Sequence, residues 1–529
     1  MSVTEQSVLP PNYNYGKLVF ERVRRYKDRI FQIDAVTGEE ESYGSVLNRS
    51  IRLAQALRAF GLSPGDVVAI SGPNHLDIHI PFHASLYNGF PIVGVDPYFK
   101  YDEVRTLFNL TKPKIVFCQN ESYDTFAKAA ASLNLDVKLV TFDEGDHHMS
   151  KFLQMYESSE PKEDFKVAEY DIEKICPYLI CTSGTSGKLK IAALKNKSML
   201  LKDELVTKNQ DDSIIIRLLL LSPNHWISFY FASTTSAATG GTLILTSKFD
   251  NYIYNVDHVI DIINKYRPHS ALFNPALIAS LKARKEDVDM TSFQMITITG
   301  AKLFEDVRQE FKKLLAKDCL LVELYGQTEM IGHVLGPSPL SSQGSCGVPM
   351  DMFDVKLVDP DTGVEITEAN VTGEIYVKGP GFSGYYNDPE ETANCFTEDG
   401  FYKTGDLLYR DKDNNYFYVD RIKTLIKYRG IHIYPIEIEE VIREHPAVAE
   451  VCVVGIDAPV VGEVPAACVV RRKGYDVTAQ EIKDLVASKL SENKKLRGGV
   501  LFLDCLPYTS SGKIRRIKLR EIAMQANRE

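Results

Sequence analysis

Apolar and polar positions along this chain follow two rhythms. Over residues 17–35 and 44–60 the apolar positions recur three and four apart, the spacing of one helix face, and Leu62-Ser63-Pro64-Gly65 supplies a turn that ends the second helix. Short, nearly continuous apolar runs follow at 66–71, 91–95 and 115–118, separated by helical stretches at 73–88 and 101–110. Such runs spaced by helices predict a parallel sheet covered on both faces. A second set of runs, at 214–222, 243–246, 270–273, 295–300 and 320–325, alternates with helical stretches at 257–266 and 304–315 and predicts a second α/β lobe.

From about Gly344 the texture changes to short β segments with closely spaced glycines, at 354–358, 373–377 and 416–419, which predicts a small barrel or distorted sheet. After Lys423 the pattern is mixed, with helices at 438–444 and 478–490 and strands at 451–455, 466–470 and 500–503. The expected fold class is therefore α/β. Residues 1–422 form a large N-terminal domain, with two sheet lobes over about 1–343 and a barrel-like part over about 344–422; residues 423–529 form a small α+β domain. No fixed-period repeat or low-complexity segment interrupts this order.

One stretch between apolar runs carries chemistry: Thr182-Ser183-Gly184-Thr185-Ser186-Gly187-Lys188-Leu189-Lys190, after the run 178–181 and before the run 191–194. Glycines let backbone N–H groups approach an anion, hydroxyls donate to phosphate oxygens and lysine adds a point charge. The spacing is not that of a Walker loop, and a strand follows where a Walker loop leads to a helix. Taken alone, the stretch also reads as a surface turn.

Composition narrows the function classes. At 529 residues the chain exceeds one core, and 44% apolar with 25% charged residues is ordinary for a globular protein. A net charge of -10 disfavours nucleic acid as a partner. No signal peptide or spanning segment is visible, since the best apolar run, 214–221, is short and carries Arg217. The expectation is an intracellular, most simply cytoplasmic, protein. Nine cysteines lie scattered without a C-x-x-C pair, which suits reduced thiols.

Four later stretches give the loop its company: Tyr325-Gly326-Gln327-Thr328-Glu329, Tyr402-Lys403-Thr404-Gly405-Asp406, Asp420-Arg421-Ile422-Lys423 and Ser511-Gly512-Lys513. Together with Leu425-Ile426-Lys427-Tyr428 and Pro435-Ile436-Glu437, the set resembles the adenylate-forming superfamily, closest to its branch of 4-coumarate-CoA ligases and firefly luciferase, over nearly the whole chain. The resemblance implies an ATP-dependent acid-thiol ligase: a carboxylate attacks the α-phosphate of ATP, pyrophosphate leaves, and the thiol of CoA then displaces AMP. It implies that the loop residues Thr182, Ser183, Gly184, Thr185, Ser186, Gly187 and Lys190 hold the β- and γ-phosphates. Glu329 would help hold Mg²⁺, Thr328 would contact the adenylate phosphate, and Tyr325 with Gly326 would belong to the nucleotide site. Asp406 would bind the ribose hydroxyls with Arg421 beside it, and Gly300-Ala301-Lys302 would border the adenine. Lys513 would stabilise charge between the acid and the α-phosphate. Lys423 would be the hinge of a mobile C-terminal domain, and Lys427, Arg429 and Gly430 would serve the CoA half-reaction.

The acyl pocket is expected near 224–231, 273–277, 299–301 and 327–332, with His225 on its wall. The expected substrate is a hydrophobic carboxylic acid, foremost a medium- or long-chain fatty acid. An aromatic acid of the 4-coumarate type, a luciferase-like monooxygenase and a nucleotide- or acyl-binding protein without turnover are the alternatives. This chain departs from the family pattern at Leu189 and Ile191, where relatives carry proline and glycine, at Lys302, often proline, and at Arg429, often lysine. Trp226 stands where luciferases have a second histidine, which counts against light emission. The resemblance also implies a peroxisome as an alternative, although the last residues, Asn527-Arg528-Glu529, are not the Ser-Lys-Leu peroxisomal address. His75, His79 and His83 fall four apart on a predicted helix and could suggest a metal face, but no acidic second shell is evident and the span lies far from these motifs, so a metal role is disfavoured. The acid's length and the oligomeric state stay open.

Overall fold

In a computed structural model the structure describes residues 13–183, 189–207, 211–248, 255–300, 303, 305–338, 341–342, 344–429, 431–508 and 513–529. Two seven-stranded sheets dominate the first 400 residues. In one, Ile92–Gly94, Val68–Ile70, Ile115–Cys118 and Lys138–Thr141 run parallel, and every residue of the first three strands is buried. That complete burial is why they read as continuous apolar runs. The helix Tyr43–Phe60 covers this part of the core and stops at Gly61, whose φ of 105° suits only glycine.

The lobes are interlaced rather than consecutive. Tyr178–Ser183 and Leu189–Leu194, which flank the glycine- and hydroxyl-rich loop, form an antiparallel pair on the edge of the first sheet, and Phe382–Tyr385 extends that edge. The second sheet places Arg217–Leu220, Thr242–Leu245, Ser270–Phe273, Met295–Ile298 and Leu320–Glu323 in parallel register, and the N-terminal strand Ile30–Asp34 joins it beside Thr242–Leu245. Residues 17–35, expected as one helix, therefore split into the helix Tyr15–Arg25 and this strand. Gln32 and Asp34 are buried there, so the apolar spacing that suggested a helix came from a strand with polar positions turned inward.

The glycine-rich part is an open antiparallel sheet of five strands rather than a barrel, ordered Glu365–Ile366, Asp354–Val358, Gly373–Lys378, Tyr402–Arg410, Tyr416–Arg421. Its first strand has only two residues, too few to close onto the far edge. The C-terminal part has its own buried cluster, running from Ile426 to Ala523, around the long hairpin Val448–Ala458 and Gly462–Arg471. All nine cysteines are free. Among the described residues no helix is long and apolar enough to cross a membrane.

Candidate active site

Parallel strands aim their C-terminal ends at one edge of a sheet, and that edge is where polar ligands of such sheets bind. Met295–Ile298 and Leu320–Glu323 bring Gly300 and Tyr325 together in this way. The chain after Tyr325 folds tightly: a Cβ on Gly326 would lie 1.9 Å from the Gly332 carbonyl oxygen, so this position requires glycine. A short 3-10 turn, Thr328–Met330, follows, and Ile331 and Gly332 both take positive φ to reverse the chain.

The motif tyrosine and glutamine converge on one carboxylate. Tyr325 donates its hydroxyl to Asp406 Oδ2 at 2.9 Å, and Gln327 Nε2 donates to the same oxygen at 2.6 Å and to the Thr404 carbonyl at 2.9 Å. Tyr402 closes the network by donating to Gln327 Oε1 at 3.0 Å. Asp406 lies directly across the antiparallel pair from Arg421, whose Nε is 2.9 Å from Oδ1. Arg421 is raised above the ordinary arginine value by the Asp406 charge, against the cost of burial. Oδ1 of this deeply buried carboxylate accepts no well-aligned hydrogen bond and faces the Arg421 charge. Gln327, expected only as the start of the acyl-pocket stretch 327–332, instead holds Asp406 and the Thr404 carbonyl.

Glu329 is buried, and Tyr385 donates to its Oε1 at 2.9 Å. Desolvation raises its carboxyl above the usual range, with Asp406 adding to the effect and the Tyr385 hydrogen bond and Arg421 opposing it. Tyr385 belongs to the edge strand Phe382–Tyr385, so the loop hairpin and the Glu329 turn meet through it. Lys190, opposite Thr182 in the hairpin, is ion-paired with Glu391 and sits 4.9 Å above the Tyr385 ring. Ile191 lies in extended strand opposite Cys181, and no positive φ is asked of it. Gly184, Thr185, Ser186, Gly187, Ala301, Lys302 and Gly430 lie outside the described residues, as do Ser511 and Gly512; Ser183 ends the first strand of the hairpin.

Lys513 arrives from the C-terminal part. Its Cε is 4.0 Å from where a Cβ on Gly300 would stand. Surrounding protein and then the Arg421 charge lower its ammonium from the lysine value, while Asp406 and Glu329 pull it back up. Because its surface stays open to water, the charges describe its setting better than desolvation does. The structure thus brings Gly300, Tyr325, Glu329, Asp406, Arg421 and Lys513 together.

Other expected residues fall elsewhere. Lys423 is exposed in the 3-10 turn Ile422–Thr424 that directly follows Arg421, and Asp420 Oδ1 accepts both the Arg421 N–H, at 2.7 Å, and the Thr424 hydroxyl, at 2.5 Å. Lys427 and Arg429 are exposed on a C-terminal hairpin. Lys427 N–H donates to Glu463 at 3.1 Å and Arg429 N–H to Val461 at 2.8 Å, and no described hydrogen bond or ion pair links either to Asp406.

On the acyl side, Trp226, Ile227, Ser228 and Phe231 are half-buried, whereas Phe229 and Tyr230 are core residues, stacked with His79 at 5.2 Å and against Tyr178 at 4.6 Å. His225 is buried against the Gly94 backbone, with Nε2 3.7 Å from Asp96 Oδ2, and burial drives it down to about 3, so it is neutral. His79 bonds Gln32 and Ser233, and His83 lies among aromatic rings, as core histidines do. Lys202 was not anticipated. Its ammonium donates to the Ile331 carbonyl at 2.8 Å and lies 3.1 Å from the Phe231 ring centre, and burial pulls it down to about 7. A lysine in a helix that also carries Lys197, Asp203 and Glu204 gives no sequence signal of that placement.

Comparison with known proteins agrees with this geometry. Residues 19–386 match the AMP-binding enzyme family and residues 437–513 match the AMP-binding enzyme C-terminal domain. The chain is 30% identical over 525 residues to a luciferin 4-monooxygenase of Photuris pensylvanica, covering 96% of this chain and 95% of that one. It is also 30% identical over 519 residues to 4-coumarate-CoA ligase 3 of Oryza sativa subsp. japonica, covering 95% and 90%. ATP-bound MatB from Rhodopseudomonas palustris superimposes with a TM-score of 0.84 at 25% identity, over 96% of this chain and 99% of that one. The chain therefore belongs to the AMP-binding enzymes, the adenylate-forming superfamily that contains the acid-CoA ligases.

Proposed function

We propose that the protein converts a hydrophobic carboxylic acid, ATP and CoA into an acyl-CoA, AMP and pyrophosphate, and that the acid is a medium- or long-chain fatty acid. The observation that carries the reading is the arrival of Lys513 from the C-terminal part beside Gly300, within the electrostatic reach of Asp406, Arg421 and Glu329. In the first half-reaction a carboxylate oxygen bonds to the α-phosphorus as the bond to the bridging β-phosphate oxygen breaks. Negative charge crowds between acid and α-phosphate, and a preorganised ammonium lowers that barrier. Lys513 supplies it, Thr328 contacts the same phosphate, and Asp406 accepts the ribose hydroxyls with Arg421 beside it. Thr182 to Gly187 with Lys190 hold the outer phosphates.

Mg²⁺ suits Glu329: a buried carboxylate is a hard oxygen donor, and the described hydrogen bond occupies Oε1 only. Bound there with the phosphates, the cation would neutralise their charge. For the second half-reaction, the part from Lys423 onward rotates about that residue, taking Lys513 out and bringing Lys427, Arg429 and Gly430 in, so the domains divide at 422/423. The sulfur of CoA then bonds to the acyl carbon as AMP leaves.

The half-buried wall of Trp226, Ile227 and Phe231 supports an apolar acid; a 4-coumarate-type acid is the second reading, favoured by the rice relative. Purified protein with ATP, Mg²⁺ and a panel of fatty and aromatic acids should give acid-dependent pyrophosphate exchange and, with CoA, AMP. Absence of exchange with every acid refutes the reading, and light with luciferin would replace it by the monooxygenase one.

A further inference from the structure

The cation of the loop hairpin is already engaged by the protein itself. Lys190 and Thr182 are direct cross-strand partners, so their side chains share one face of the hairpin. Lys190 is 8% exposed, paired with Glu391 and stacked over Tyr385, which in turn holds Glu329. Thr182 Oγ1, buried at the same hairpin rung, has no hydrogen-bond partner among the described residues. A buried hydroxyl without a partner is costly enough to mark a place meant for one.

Glu391 is fixed independently of the loop. Its N–H donates to Asp388 Oδ1 at 3.2 Å in the first turn of the helix Pro389–Cys395. Thr392 pins that helix to the Tyr385 strand, taking the Tyr385 N–H at 2.8 Å and donating to the Asp388 carbonyl at 2.8 Å. Lys190 can turn toward a ligand in the loop, but the backbone that carries Glu391 is held against Tyr385. The carboxylate is 37% exposed, so water receives it when the lysine leaves. A buried ammonium, in contrast, must keep an anion.

We propose that Glu391 stands in for the nucleotide phosphates: it holds Lys190 until the ATP triphosphate displaces it, so that ATP binds by exchange of ion pairs and Glu391 sets the affinity. This rests on the ATP-dependent activity proposed above. Lys190 stays paired in both states, and the protein forgoes part of the attraction that a free lysine would offer. Glu391 is a positioning residue, acting through Lys190 rather than on the substrate.

The test is calorimetric titration of the full chain with ATP and Mg²⁺, without acid, for wild type, Glu391→Gln and Glu391→Asp. A half-exposed pair of this kind is worth about five- to thirtyfold in an equilibrium, so Glu391→Gln should bind ATP tighter by about that factor. Glu391→Asp keeps the charge one methylene short and should bind about two- to fivefold tighter than wild type. In pyrophosphate exchange the KM for ATP should fall in the same order, with kcat unchanged. Equal or weaker ATP binding by Glu391→Gln overturns the proposal; if that variant shows no cooperative melt, the Glu391→Asp result decides by the same criterion. Wild-type protein that does not bind ATP would sink the activity itself, whereas wild-type binding without the predicted order sinks only the exchange.

Discussion

Replacing Gln327 by glutamate puts the Asp406 network under a load that can be calculated. The amide nitrogen of Gln327 is 2.6 Å from Asp406 Oδ2, and the new carboxylate would take its place. Two unit charges at that separation repel by about 6 kcal/mol at an effective dielectric constant of ~20. Arg421, 2.9 Å from the other oxygen, offsets part of this, and uptake of one proton by the pair caps the rest. A net loss of about 3 to 4 kcal/mol near pH 8 follows. The sign with pH is fixed by proton counting. The folded variant holds a shared proton that the unfolded chain, whose carboxyls titrate near 4.3, has released, so its stability falls as pH rises from about 5 to about 8. Urea unfolding followed by the fluorescence of Trp226, the single tryptophan, compares wild type, Gln327→Glu and Gln327→Leu at both ends of that window. The leucine variant loses the same hydrogen bonds without adding charge, so its deficit should not change with pH. A glutamate deficit that also ignores pH would refute the network described around Asp406.

Three further outcomes are expected. Lys513→Gln should slow acid-dependent pyrophosphate exchange by about 10² to 10³ while leaving CoA transfer from a supplied acyl-adenylate largely intact, measured by AMP release. Lys202→Met should be most stabilising relative to wild type near pH 7 and progressively less so toward pH 10 in urea titrations. Desolvation holds the buried amine near 7, so over that window the unfolded chain carries the extra proton and wild type gains stability as pH rises. Gly332→Ala places a methyl 2.5 Å from the Phe231 ring at a φ of 99°, and should cost about 2 to 4 kcal/mol and raise the KM for acid more than that for ATP.

What the chain reveals by itself is local. The strands Ile115–Cys118 and Ser270–Phe273 coincide with their apolar runs because nearly all their residues are buried, and Asp354–Val358 and Val500–Leu503 fall where their short β patterns placed them. The motifs placed Gly300, Tyr325, Asp406, Arg421 and Lys513 in one group, and the structure brings them together. Non-local partners were hidden. Nothing near Lys190 points to Glu391 some 200 residues on, and nothing near Ile331 points to Lys202. Ile30–Asp34 looked helical because its polar positions are turned inward and its parallel partner, Thr242–Leu245, lies more than 200 residues on.

That last pairing sets an order of events during synthesis. Ile30–Asp34 has no neighbour on its parallel side until Thr242–Leu245 is made, and the edge pair around Leu189–Leu194 waits for Phe382–Tyr385. At ~5 to 20 residues per second each wait lasts roughly 10 to 40 s, with apolar strand edges uncovered for that time. A nascent chain of this architecture is exposed to chaperones and to mispairing long before its nucleotide site exists.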